Sequence, residues 1–136
     1  MEQRVSFITL AVADLGATRR FYVDGLGWEP ELEADDVIMF RVADKVVLSL
    51  WAESGFEQEV GPVRRGSGLV PITLAHNLAT PDEVDAVLAD ARAAGATEVS
   101  AGEQREWGGY TGYFADPDGF RWEVAFNPGP IGRTVL

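Results

Sequence analysis

The stretch WGGYTGYFADPDGFRWEVAFN, Trp107 to Asn127, decides how this chain is read. It spells two strands and a tight turn. Tyr110 to Ala115 is the first strand, and Phe120 to Phe126, rich in aromatic and β-branched residues, is the second. Between them, Asp116-Pro117-Asp118-Gly119 supplies an acid to open the turn, a proline with φ already set and a glycine free to take positive φ. Along the second strand Phe120, Trp122, Val124 and Phe126 fall on one face, and Arg121, Glu123 and Ala125 on the other. Glu123 is therefore an acid in mid-strand, backed by a row of large apolar side chains.

Upstream of this hairpin the pattern runs strand, helix, strand. Val70 to Leu78 reads as a strand whose start is confined by Pro71 to an edge or an unpaired position. Thr80-Pro81-Asp82-Glu83 is a capping box with proline at the first helical position, and the helix runs to about Ala94. It buries Val84, Val87, Leu88 and Ala91 at spacings of three and four, and Gly95 ends it. A strand near Thr97 to Ala101 and a loop over Gly102 to Glu106 lead into the hairpin.

The first half shows the same order. Val5 to Val12 is a strand, with Phe7, Thr9 and Ala11 facing one way and Ile8, Leu10 and Val12 the other. Asp14 caps a helix to about Asp24 that packs Phe21 and Tyr22 and stops at Gly25 and Gly27. Strands follow at Trp28 to Glu33, Val37 to Val42 and Lys45 to Ala52, then an aperiodic loop over Glu53 to Gly68. The chain is β-α-β-β-β written twice, an internal repeat. Aligning the halves sets Phe7 against Thr73, Phe40 against Phe114, Asp44 against Asp118 and Ser49 against Glu123. This gives an α+β fold of two βαβββ modules, with curved mixed sheets around a cleft and helices on the outer faces. One domain over 1–136 is expected, with module 1 over about 4–53, a linker over about 54–68, module 2 over about 69–127 and a tail over 128–136.

Composition narrows the function. At 136 residues and 46% hydrophobic the chain can bury one sizeable core. No apolar run is long enough to span a bilayer, and MEQRVSF lacks a signal-peptide pattern. The absence of cysteine excludes thiolate chemistry and suits a reducing cytoplasm. A net charge of −11 argues against nucleic acid and favours a cationic ligand, although an acidic surface commonly serves solubility alone. No Ser-His-Asp set and no Gly-rich phosphate loop is present.

The motifs Ile8-Thr9-Leu10-Ala11-Val12-Ala13-Asp14-Leu15, Phe21-Tyr22 with Leu26-Gly27-Trp28, and Phe114-Ala115-Asp116-Pro117-Asp118-Gly119 with Trp122-Glu123 occur in order along nearly the whole chain. Together they make it resemble the vicinal oxygen chelate superfamily of glyoxalase I, extradiol dioxygenases and bleomycin-resistance proteins. The resemblance implies a fold, and this fold hosts many activities. It also implies four metal-ligand positions, which fall on Phe7, Ser49, Thr73 (or Pro71 in a slipped register) and Glu123. Only Glu123 is a ligand, and one carboxylate cannot hold a catalytic ion. The expectation is no metal and no cofactor.

His76, the lone histidine, shares a face with Leu74 and Leu78, which predicts a structural histidine hydrogen-bonded behind the sheet; a one-residue bulge would turn it inward. Glu123 reads in two ways: an acid that binds a cation or acts as a base, or a residue paired with Arg41, Arg121 or a backbone donor. Trp51, Trp107, Tyr110 and Tyr113 should rim or line the cleft, and Met39, Thr111 and Tyr113 should face inward. The candidate ligand-binding set is Phe7, Thr9, Met39, Ser49, Trp51, Thr73, Asn77, Trp107, Tyr110, Tyr113 and Glu123, with Glu123 the candidate catalytic group. Aromatic walls with an acid suit flat or cationic organic molecules. By resemblance to the bleomycin-resistance branch, the expected protein is a metal-free homodimer that sequesters a small organic molecule. The rival is a lyase, isomerase or dioxygenase with an atypical metal site or with Glu123 as base. The tail, with Pro128 and Pro130, reads as extended, either over a cleft or free.

Overall fold

Two units of the same topology make up the chain, Met1–Ser67 and Gly68–Leu136. The computed structural model describes residues 1–64 and 66–136. In the first unit β1 (Phe7–Val12), α1 (Leu15–Arg19), β2 (Leu32–Glu33), β3 (Val37–Ala43), β4 (Val46–Ala52) and α2 (Glu53–Glu59) follow in order. In the second, β5 (Thr73–Leu78), α3 (Pro81–Ala93), β6 (Glu103–Gln104), β7 (Tyr110–Ala115), β8 (Arg121–Phe126) and α4 (Pro130–Arg133) do. The sheets are ordered β1-β4-β3-β2 and β5-β8-β7-β6, so the sequence repeat is a repeat of topology. In each, the first strand lies at an edge, parallel to the last, and the other pairs are antiparallel. Among the described residues no helix is long and apolar enough to cross a membrane.

Alternation along the strands separates two faces. In the first sheet Leu10, Val12, Ile38, Phe40, Leu48 and Leu50 are buried together on the face toward α1. Asp14 caps α1 by accepting the Ala17 N–H at 3.0 Å, as its position predicts. The expected single α-helix instead widens into a π-helical turn over Arg20–Gly25. That turn sends neighbouring Phe21 and Tyr22 both into the core, edge to face at 5.0 Å.

In the second sheet Leu74, Trp122, Val124 and Phe114 are buried on the face toward α3, along with Val84, Leu88 and Ala91 of the helix itself. The capping box forms: Thr80 Oγ1 accepts the Glu83 N–H at 3.3 Å and Glu83 Oε2 accepts the Thr80 N–H at 2.8 Å. At the β7–β8 turn the buried Asp116 carboxylate accepts the N–H groups of Asp118 (3.0 Å) and Phe120 (2.9 Å), and Gly119 takes φ +86°.

Four expectations need correction. The predicted strand Trp28 to Glu33 shrinks to Leu32–Glu33, because Trp28 continues the helix end and packs between Tyr22 and Phe40 at 5.2 and 5.3 Å. The predicted loop after β4 begins with α2, whose Phe56 packs edge-on against Trp51 at 6.0 Å. The predicted strand Thr97 to Ala101 reduces to a bridge between Thr97 and Ala115, while β6 forms in the predicted loop. Its break is a bulge. Ser100 bonds to Tyr113, so Glu98 and Val99 share the place opposite Phe114, and Glu98 has a left-handed φ of 51°. Finally, the tail is not extended throughout, since Pro130–Arg133 turns helical against Asn127.

Candidate functional site

Glu123 and Tyr113 stand directly opposite each other on β8 and β7, on the face turned from α3. The Tyr113 hydroxyl donates to Glu123 Oε1 at 2.9 Å, with both side chains half-buried. Burial raises the Tyr113 phenol above its ordinary value, and the hydrogen bond to the Glu123 carboxylate and that group's charge raise it further. A hydrogen bond from Thr111 and the charge of Arg105 act in the opposite direction. Arg105, from the loop before β7, lies over buried Thr111: Nε donates to Thr111 Oγ1 at 2.6 Å and a terminal nitrogen to Glu103 at 3.0 Å.

Neither arginine anticipated for Glu123 is its partner. Arg41 donates to Glu31 from Nε at 3.2 Å and from one terminal nitrogen at 3.0 Å. Arg121, two residues before Glu123 on the same face, pairs with Glu98. The side chain that holds Glu123 is a neutral phenol, and its second oxygen takes no hydrogen bond from a described residue.

The other predicted residues divide by strand parity. Thr73 and Asn77 lie on β5, on the same face as Glu123, with Ala75 directly beside it. In the first unit Phe7, Thr9, Met39, Ser49 and Trp51 share the face turned from α1, with Ser49 buried between Thr9 and Met39. Phe7 is 55% exposed. Trp51 is fixed in place, since its indole N–H donates to Asp36 at 3.0 Å.

Tyr110 and Trp107 leave this grouping. Tyr110 sits on the opposite face of β7 from Tyr113, and its hydroxyl donates to Asp85 of α3 at 2.9 Å. Trp107 is exposed with its ring folded over Gly109. His76 keeps the predicted face but not the predicted role. It is exposed, and its side chain bonds to no described residue. Its strand is the sheet edge, and α3 packs chiefly over β7 and β8.

The chemistry of the donors tests whether these positions suit a metal. The positions that the resemblance assigns to ligands hold a phenyl ring, two hydroxyls and one carboxylate (Phe7, Ser49, Thr73, Glu123). Among the described residues no group of three or more His, Cys, Asp or Glu side chains converges. Such a set does not fit a divalent ion.

A family model described as the Glyoxalase/Bleomycin resistance protein/Dioxygenase superfamily matches residues 4–124. The chain belongs to this superfamily. No curated protein matches it. Among solved structures, this glyoxalase-superfamily chain is similar to one described as a glyoxalase-related enzyme from Fulvimarina pelagi, at 36% identity and a TM-score of 0.81, covering 93% of this chain and 90% of that one. A glyoxalase/bleomycin resistance protein/dioxygenase from Nocardioides is 25% identical with a TM-score of 0.77, over 95% and 89% of the two chains. Lactoylglutathione lyase from Agrobacterium tumefaciens shares the fold at 23% identity and a TM-score of 0.67, over 93% and 95%.

Arg105 and Glu98 are the residues that reading the sequence missed. Both lie in segments without periodicity, and the one usable signal was the pairing of Thr97 to Ser100 along β7, which a bulge disguises.

Proposed function

We propose that this superfamily member binds a small organic molecule without a metal ion, using the face of its second sheet that carries Glu123 and Tyr113. The observation that carries the reading is the Glu123 carboxylate, held on one oxygen by Tyr113 and facing no arginine partner. A cationic nitrogen on an aromatic or otherwise flat molecule satisfies the free oxygen and lies against the Tyr113 ring. Thr73 and Asn77 supply hydrogen-bonding groups on the same face; in the first unit, Phe7 and Trp51 are proposed as apolar surface on that unit's own face turned from α1. Sequestration by a homodimer in the cytoplasm is the biological form of this reading, in line with the cysteine-free, acidic chain.

The test has two parts. Elemental analysis of untagged protein, followed by calorimetric titration with Zn²⁺, Ni²⁺, Mn²⁺ and Fe²⁺, should find no specific uptake. Binding of benzylammonium, whose N–H groups can donate to the carboxylate, should then weaken about 10- to 100-fold in Glu123→Gln, as expected for a hydrogen-bonded charge worth about 1–3 kcal/mol. Stoichiometric metal lost in Glu123→Ala, or unchanged affinity in Glu123→Gln, overturns the reading.

A second reading is an enzyme with Glu123 as base, which the description of the Fulvimarina pelagi relative as a glyoxalase-related enzyme favours. Turnover of any ligand so identified, abolished in Glu123→Gln, would put it first.

A further inference from the structure

Glu98 occupies the one left-handed position taken by a residue other than glycine among those described, at φ 51°. Glycine fills such bulge positions at less cost, so a carboxylate kept there points to a use for its side chain. That side chain pairs with Arg121, whose own side chain is only 18% exposed. Arg121 and Glu123 are alternate residues of β8 on one face, about 6–7 Å apart along the strand, well within reach of an arginine. Left to itself, Arg121 would find Glu123 the nearest acid on its own strand and neutralise it. The bulge prevents this by bringing Glu98 beside the start of β8, where Thr97 pairs with Ala115 and Ala115 with Arg121.

We propose that Glu98 is a positioning residue for the binding face: it draws Arg121 off Glu123 and so keeps the Glu123 carboxylate uncompensated and ready for a cationic ligand. The other arginine of this face, Arg105, is engaged by Thr111 and Glu103 and does not take its place. Removing the Glu98 charge frees Arg121 to turn toward Glu123, and the protein's own guanidinium then competes with the ligand. This inference rests on the reading of Glu123 as the ligand's counter-charge, and it predicts which side chain sets the affinity without touching the ligand.

Two measurements separate the charge geometry from the ligand. The first needs no ligand and follows the Arg121 Nε–H resonance by ¹H–¹⁵N NMR, assigned by its loss in Arg121→Lys. In the parent chain Glu123→Gln should leave that resonance in place. In a Glu98→Gln background the resonance should move, and adding Glu123→Gln should move it again. A response to Glu123→Gln while Glu98 is present, or none once Glu98 is gone, overturns the inference. The second uses benzylammonium: Glu98→Gln should bind it about 3- to 10-fold more weakly, and Glu98→Gln/Arg121→Gln should regain parental affinity. Failure of the double variant to recover overturns the inference as well. No binding of the probe by the parent chain counts against the cationic-ligand reading, and the resonance test still decides the role of Glu98.

Discussion

The hydrogen bond between Tyr113 and Glu123 makes a quantitative claim that a double-mutant cycle can check. Tyr113→Phe removes one hydroxyl and leaves the ring, so it opens no cavity in the sheet. Glu123→Met keeps the length of the side chain and removes both carboxylate oxygens, so no acceptor is left for the Tyr113 hydroxyl. The bond is 2.9 Å long and joins directly opposed residues of an antiparallel pair. A hydrogen bond to a charged group contributes about 1.5–3 kcal/mol when shielded, and half-exposure on this face pulls the expectation to about 1–1.5 kcal/mol. Tyr113→Phe alone should cost about 1 kcal/mol, because water reaches the released carboxylate. The coupling energy from urea unfolding of the two single variants and the double variant should lie near 1 kcal/mol, with an unchanged dependence on denaturant. A coupling below about 0.3 kcal/mol, within the additivity expected of independent sites, would refute the claim that Tyr113 holds Glu123.

Other parts of the second unit yield predictions of the same kind. Thr80→Ala breaks the capping box of α3 and should cost about 1 kcal/mol in urea unfolding, with Thr80→Ser close to the parent. At buried Gly112 an added methyl meets Leu88 of α3, so Gly112→Ala should destabilise by about 1–3 kcal/mol, read as a lower midpoint in thermal circular dichroism. The Tyr113 phenol ionises above its ordinary value of 10.0, so the native state holds that proton more tightly than the unfolded chain. The stability this gives is fully present below the unfolded value and is lost as pH rises through the folded one; Tyr113→Phe should accordingly lose less stability than the parent in unfolding measured across that alkaline range.

Most of the fold was legible because alternation and caps are local signals. Trp122 and Val124 against Glu123, or Ile38 and Phe40 against Met39, declare their faces through period two alone, and Thr80 and Asp14 announce their helices within four residues. What stayed hidden depended on tertiary context. Glu53 to Glu59 carries no apolar stripe, and its helix is anchored by tertiary packing such as Phe56 on Trp51. The left-handed φ of Glu98 comes from how its segment lies along β7, which no propensity of glutamate foretells. The site was half legible for the same reason. Parity puts Glu123 and Tyr113 on one face, while Glu98, the partner of Arg121, and Arg105 itself come from irregular segments, and Tyr110, three residues from Tyr113, falls on the helix side by the same parity.

The parallel pairing of β5 with β8 has a consequence for how the second unit assembles. β7 and β8 are neighbours in sequence, and the Asp116 carboxylate bonds to the turn between them, so this hairpin closes by local contacts and early. β5 leaves the ribosome first yet must wait for β8, the last strand made, before its backbone is paired. Until then its free edge travels with Leu69, Val70 and Ile72, which are exposed even in the finished fold. The interval between synthesis of β5 and closure of the hairpin is thus the step at which this edge is open to other chains, and in a chevron analysis Asp116→Ala is expected to slow folding while changes in β5 chiefly speed unfolding.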